Sequence, residues 1–410
     1  MYAAGFSIDA SQPATGLFPW LHAPVLLLWL GAIAWVWRRP GLPVLPIVAF
    51  ATLFRLLAAA EAPLLSSDVY RYAWDARVQH TGFSPYAYPP GDPALSDLRD
   101  GAVHPNINRP TERTVYPPGA QLFFRLLPEG IDGIRLVLIA LDLLTMLLLV
   151  RLLRVLGKDP AQVIVYAWAP LVVYEVGNGG HLEAAMLPLL VGAALAHHAG
   201  RLRTSGLLLG AATAMKLYPG LAGVALGRPR LWRVALPAVA VVAAAYALYA
   251  PGAGGHVLGF LPRYVGSAED HNIGVRAWLE ALLGVRREVA FGLCLALLGA
   301  GTWLIDRAGG PLEQRLLRLI GLYLLTLPTA LHPWYALWLV PWLCITPHPA
   351  WLWLLGALPL SYLKYATPGG VMPPWVVPVE LLPVLALLAV PYLGPSSPLQ
   401  ALRLRVSRSR

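Results

Sequence analysis

The sequence predicts an all-α polytopic membrane protein, with about 11–12 transmembrane segments and interfacial helices in its outer loops. Three observations lead there. Hydrophobic residues make up 57% of the chain and charged residues only 13%, with a mean hydropathy of +0.60; a soluble chain is about 25% charged. The 15 Trp and 17 Tyr suit aromatic belts at the two membrane surfaces. The 39 Pro and 38 Gly suit kinked or broken spans, which are tolerated where a cavity or a neighbouring helix satisfies the freed backbone groups. Residues 1–410 read as a single integral membrane domain, with no short-period repeat and no separate soluble domain.

Apolar runs near 20 residues place the spans, and Arg and Lys in the connections orient them. The first span covers about 22–37 and ends at Arg38 and Arg39; the second covers about 43–60. The third, about 133–153, ends at Arg151, Arg154 and Lys158. The fourth and fifth, about 161–176 and 184–199, flank the sequence NGGHLEA. Residues 205–226 are basic at both flanks (Arg201 and Arg203; Arg228, Arg230 and Arg233) and broken at MKLYPG, so a re-entrant pair of half-helices is favoured over a full crossing. Further spans follow at about 231–250, 289–305, 319–331, 336–346, 350–366 and 376–393.

This arrangement puts the N-terminus outside and the basic tail RLRVSRSR inside. The net charge of +10 is then that of positive-inside loops. Basic residues scattered between apolar spans speak against nucleic-acid binding. Residues 1–20 show no basic stretch followed by an apolar run, so no cleavable signal peptide is expected. Cys294 and Cys344 both fall in spans and suggest neither a disulfide framework nor a metal site.

Two outer loops hold the polar residues: a large one, 61–121, and a second, 251–288. A long polar loop between spans costs ordering entropy unless it folds onto the protein. In the first, residues 68–79 have helical spacing, with Val69, Tyr72, Ala73 and Ala76 on one face and Asp68, Arg71, Asp75 and Gln79 on the other. That pattern predicts an amphipathic helix lying along the interface, with Arg71 and Asp75 paired on its solvated face. Gly82 to Pro85 break the chain, and residues 120–127 predict a second short helix dipping into the membrane surface.

Acids and histidines collect on the outer side: Asp68, His181, Glu183, Asp270, His271 and His332, with Arg263 among them. Inner loops carry mostly Arg, so the candidate site faces outward. Asp68 at the head of the loop helix can accept a proton from a hydroxyl nucleophile, or simply cap the helix. His181 and Glu183 open a span beside Gly179 and Gly180, where an acid also complements the helix dipole. Lys216 stands in the break of an apolar segment; it either faces a cavity and holds a phosphate or snorkels to the inner surface. Arg263 is a guanidinium suited to a phosphate group. His332 sits at a span end, functional or merely interfacial.

SDVYRYAWD, GFSPY and TVYPPGAQ in the first loop, NGGHLEA at a span end, MKLYP in a broken span and HPWYALWLVP late in the chain together resemble the GT-C membrane glycosyltransferases. The bacterial polyprenyl-phosphate-mannose-dependent mannosyltransferases are the most similar group. The resemblance covers roughly residues 43–345, and the order and placement of these short motifs carry it. It implies a polyprenyl-phosphate sugar donor, with mannose as the sugar, a lipid-linked or cell-envelope glycan acceptor, an inverting displacement and no cofactor or nucleotide-sugar site. The first-loop aspartate of that family acts as general base, and Asp68 occupies its place. His332 matches a late outer histidine.

Catalytic candidates are therefore Asp68, His332 and Glu183; donor-phosphate candidates are Lys216, Arg263 and His181; Tyr70, Arg71 and Tyr116 are further loop candidates. Many relatives follow the loop aspartate with a second acid; here Val69 follows, a departure that weakens a metal-dependent reading and leaves the subfamily open. A transporter or flippase for a lipid-linked saccharide would share the spans, the broken helix and a cationic cavity, but would need no general base. A purely structural membrane partner fits poorly with Lys216 and the one-sided acids and histidines.

Overall fold

The computed structural model describes residues 18–227, 230–266, 272, 274–326, 330–367 and 370–393, and among them every regular element is helical. Four described helices are long and apolar enough to cross a membrane unaided: Leu21–Arg38, Ile131–Val155, Leu231–Tyr249 and Arg287–Ala308. Val44–Ala59 and Val376–Val390 are shorter apolar helices. The protein is an all-helical polytopic membrane protein, as its composition predicts.

Several predicted spans are assembled from pieces. The fourth is a 3₁₀ turn at Pro160–Val163, short helices at Ile164–Ala167 and Pro170–Val172, and a π-helical turn at Val173–Asn178. Pro170 has no amide to donate and pushes Ala169 out of helical geometry (ψ 120°). Residues 333–343 form a 3₁₀ helix at Pro333–Trp338 and one turn at Val340–Leu343. These irregular pieces are almost entirely buried. Non-helical backbone at membrane depth persists only where protein, not lipid, surrounds it.

A sealed ion pair ties this interior together. Arg55 in Val44–Ala59 meets Asp142 in Ile131–Val155, with both side chains 0% exposed. The guanidinium also donates to the carbonyls of Ala51 and Ala167, and the Tyr166 hydroxyl donates to Asp142.

Residues 202–226 go in and come back. The Leu202–Met215 helix packs against Glu183–His198, and its next residue, Lys216, reaches Glu183 at the start of that helix. The chain returns through a 3₁₀ helix at Tyr218–Ala222 and a turn at Gly223–Leu226, where Leu226 O lies 2.9 Å from His197 Nδ1 near the other end of the same helix. The chain thus runs out along the Glu183–His198 helix and back, the path of the favoured pair of half-helices. GLLLG in this segment lets the Leu231–Tyr249 helix approach closely: a Cβ on Gly206 would fall 2.3 Å from Val234 O, and one on Gly210 2.6 Å from Ala238 O.

The first loop differs from expectation. Its helix, Asp68–His80, has no solvated face, because both faces are buried. The chain after it wraps over the top: Leu95, Val103 and Ile107 pack on Trp74 and Val78. Arg71 and Asp75 do pair, at 2.9 Å, but in the interior, and Arg71 also donates to Glu112 O. Gln121 joins Asp75 and Thr114, Gln79 joins Gln121, and Tyr249 donates to Gln79. A buried polar network of this kind is stable only when its members satisfy one another; here it fastens the loop to the Leu231–Tyr249 span. The second short helix is Pro118–Arg125.

The second loop folds back onto the first. Phe260 N donates to Thr114 O, and Arg263 lies 3.5 Å from Glu112. It contains helices at Leu261–Gly266 and Val275–Leu283. Asp270 and His271, with Arg228 and the basic tail, lie outside the described residues.

Candidate active site

A cavity of about 660 Å³ opens where the two loops meet the helix ends. Volumes of this order suit a saccharide-sized ligand. The first loop supplies Asp68, Arg71, Asn108, Arg109, Glu112, Arg113 and Tyr116; the broken segment supplies Lys216 and Tyr218; the late chain supplies His332, Trp334, Tyr335 and Trp338. Leu221, Phe291 and Leu298 make an apolar side, and Phe291 and Leu298 belong to Arg287–Ala308, a span only 11% buried within the protein.

Asp68 opens the loop helix, whose N-cap is Ser67 without a side-chain cap bond. One carboxylate oxygen of Asp68 accepts from Asn108 Nδ2 at 2.9 Å, and the other lies 3.8 Å from His181 Nδ1. Its side chain is 17% exposed, to the cavity. Beneath it lie two phenols, Tyr72 and Tyr116. Burial pushes both hydroxyls well above their ordinary range, and the Asp68 charge adds to the shift. They therefore stay protonated beside the carboxylate.

Lys216 lines the same cavity. Met215 ends its helix, Lys216 itself is extended (φ −145°, ψ 139°), and the chain turns into Tyr218–Ala222. Its ammonium bonds Glu183 and sits 5.1 Å above the Tyr335 ring and 5.8 Å above the Trp338 ring. It is directed into the cavity, not to the far surface. Glu183 is fully buried and does not line the cavity; one oxygen meets Lys216, and the other has no hydrogen-bond partner among the described residues.

The remaining candidates divide. His332 lines the wall, stacked on Trp334 at 4.3 Å. His181 lies behind that wall, fully buried, stacked on the same indole at 4.1 Å. Arg71 and Tyr116 line the cavity; Tyr70 is half-buried and does not. The Arg263 side chain is 77% exposed and lies outside the lining, although its neighbours Phe260 and Leu261 belong to it.

Sequence reasoning missed the 108–113 wall, the aromatic floor and two ionisable residues inside predicted spans, Glu175 and Lys364. An ionisable residue in an apolar span is itself a signal, and both carried it.

Residues 19–230 match the model of the MptA/B family, described as alpha-(1->6)-mannopyranosyltransferase, N-terminal domain. The chain belongs to that family. It is a glycosyltransferase of a mannosyl-transferring family, in a membrane. The matched stretch holds Asp68, His181, Glu183 and Lys216; Arg263 and His332 follow it. No curated protein and no solved structure matches the chain.

Proposed function

We propose that this mannosyltransferase moves mannose from a polyprenyl-phosphate donor to a lipid-linked or cell-envelope glycan on the non-cytoplasmic face of the cell membrane. The observation that carries the reading is that one cavity is lined by a carboxylate, Asp68, and an ammonium, Lys216, with an apolar side at Phe291 and Leu298. An acceptor hydroxyl beside Asp68 gives up its proton to the carboxylate as its oxygen attacks the anomeric carbon. The bond to phosphate breaks on the opposite face, so one displacement inverts the configuration. Charge grows on the departing phosphate, and Lys216 is the cation best set to meet it; His332 is a second contact, and Arg263 a rim contact. The family description names an alpha-(1->6) linkage, so the attacking group is a primary sugar hydroxyl. The lipid chain would leave the cavity past Phe291 and Leu298.

The test incubates purified protein with a panel of synthetic polyprenyl-phosphate sugars and an octyl mannoside acceptor, with products read by mass spectrometry. Mannosylated acceptor is expected from polyprenyl-phosphate mannose. Asp68→Asn keeps the side chain's size and its hydrogen bonding but cannot take the proton. Because a general base contributes about 10²–10⁴-fold, turnover should fall at least 100-fold, with donor binding little changed. An Asn variant that works at the wild-type rate removes Asp68 from the mechanism. Wild-type protein that transports the donor lipid across vesicles and transfers nothing would make the chain a translocator.

A further inference from the structure

Behind the base lies a buried arm of side chains that the reaction as described leaves unused. His181 Nδ1 faces Asp68 at 3.8 Å and its Nε2 lies 3.1 Å from Glu175 Oε2, and neither ring nitrogen completes a hydrogen bond among the described residues. The other Glu175 oxygen accepts a hydrogen bond from the Tyr362 hydroxyl at 2.7 Å. His181 is 0% exposed and the Glu175 side chain 2%. A carboxylate and an imidazole withdrawn this far from water cost several kcal/mol in solvation unless they serve each other or a third group.

The local fold is shaped to hold them. Glu175 sits in the π-helical turn Val173–Asn178, a rare geometry that recurs at functional sites. Gly179 leaves room for the imidazole, since a Cβ there would fall 2.8 Å from His181 Cδ2. Gly180 takes φ +63°, a conformation that favours glycine, and so turns His181 back toward Asp68. Trp334 covers one face of the ring.

We propose that Glu175 and His181 are positioning residues for Asp68. Glu175, within reach of Nε2, turns to take its proton as a hydrogen bond, which leaves Nδ1 bare and aimed at Asp68. While Asp68 is ionised the two face each other without a bond. Once Asp68 has taken the acceptor's proton, its new O–H donates to Nδ1, and the protonated base is stabilised as the sugar transfers. Asn108 holds the other Asp68 oxygen throughout. No bond beyond that of the transfer is made or broken. The inference rests on Asp68 being the base.

Two isosteres separate the nitrogens. Asparagine places its amide at the δ position, where it still serves Asp68; glutamine places it at the ε position, where it serves only Glu175. With polyprenyl-phosphate mannose and octyl mannoside, His181→Gln should lower kcat at least 10-fold while the donor KM moves less than threefold. His181→Asn should recover much of that loss. Glu175→Gln should lower kcat with donor KM again held. In the Asp68→Asn background, His181→Gln should cost nothing further, because its effect passes through the base. Equal losses in the Gln and Asn variants with donor KM rising in step would make His181 a packing residue and overturn the inference. So would full kcat in His181→Gln when Asp68→Asn is inactive; an active Asp68→Asn would instead overturn the base itself, and this inference with it.

Discussion

Two ion pairs inside this bundle look alike in composition and differ in what surrounds them. Arg55 and Asp142 are sealed at 0% exposure; the guanidinium is shared with two carbonyls and the carboxylate with a phenol. Lys216 and Glu183 are equally deep on the acid's side, but Lys216 is 16% exposed, to the cavity. The first pair has no route to a ligand, and its surroundings fix it in place. The second holds a flexible ammonium by one acid and two aromatic faces at the cavity wall, where the proposed function has it meet a phosphate. Arginine suits the lock, with its rigid fork of donors, and lysine suits the exchange, with a mobile point charge. Burial alone does not tell the two pairs apart, and neither does an unmet hydrogen bond, since Arg55 Nη2 and one Glu183 oxygen both lack a partner among the described residues; the facing cavity does.

Breaking the lock should have the largest effect on the fold. Asp142→Asn leaves Arg55 charged, buried and without its counter-ion, a change that costs about 3–5 kcal/mol. Thermal unfolding in detergent should show a clear drop in Tm, with the folded fraction still binding donor. A variant as stable as the parent would show that the pair contributes nothing to the bundle.

Lys216→Gln reads the other pair. The amide can still donate to Glu183 but carries no charge for a phosphate. Loss of a charge-assisted contact is worth about 1.5–3 kcal/mol, so donor affinity should fall roughly 10- to 100-fold. Equal donor affinity in the variant and the parent would return Lys216 to a structural role like that of Arg55.

An exposed pair supplies the smallest effect. Arg77 and Asp100 meet at 2.7 Å with side chains about a third exposed. Burial nudges the Asp100 carboxyl up, but the Arg77 hydrogen bond and the amides of Val103 and His104 outweigh it and hold the group at about 2. A folded value below the unfolded one stabilises the protein above the unfolded value near 4, and that contribution is lost as pH falls toward 2. Asp100→Asn should therefore narrow the Tm difference from wild type as pH drops from 5 to 3. A gap that stays constant over that range would show that Asp100 is not held ionised by its neighbours.

Legibility in the sequence followed locality. The loop helix was legible because its apolar positions repeat at helical spacing, and it ends one residue beyond the expected Gln79, at His80. The break at Lys216 was legible because Pro219 and Gly220 stop a helix whatever surrounds them. The burial of both faces of the loop helix was not, since a face carrying Asp68, Arg71, Asp75 and Gln79 reads as solvated until the later chain, 93–121, covers it. Glu175 was hidden for the opposite reason, as one acid within a run otherwise apolar enough to read as an ordinary span.

By itself the sequence determined what depends on composition and near neighbours: an all-helical membrane chain, a polar first loop headed by Asp68, and a helix broken at Lys216. The tertiary structure alone decided which polar groups meet. Asp68 and His181 are 113 positions apart, Glu183 and Lys216 33, Glu175 and Tyr362 187. Those meetings depend on how helices cross and on which broken pieces are buried, and that is set by packing summed over the whole bundle. No local pattern of residues encodes it.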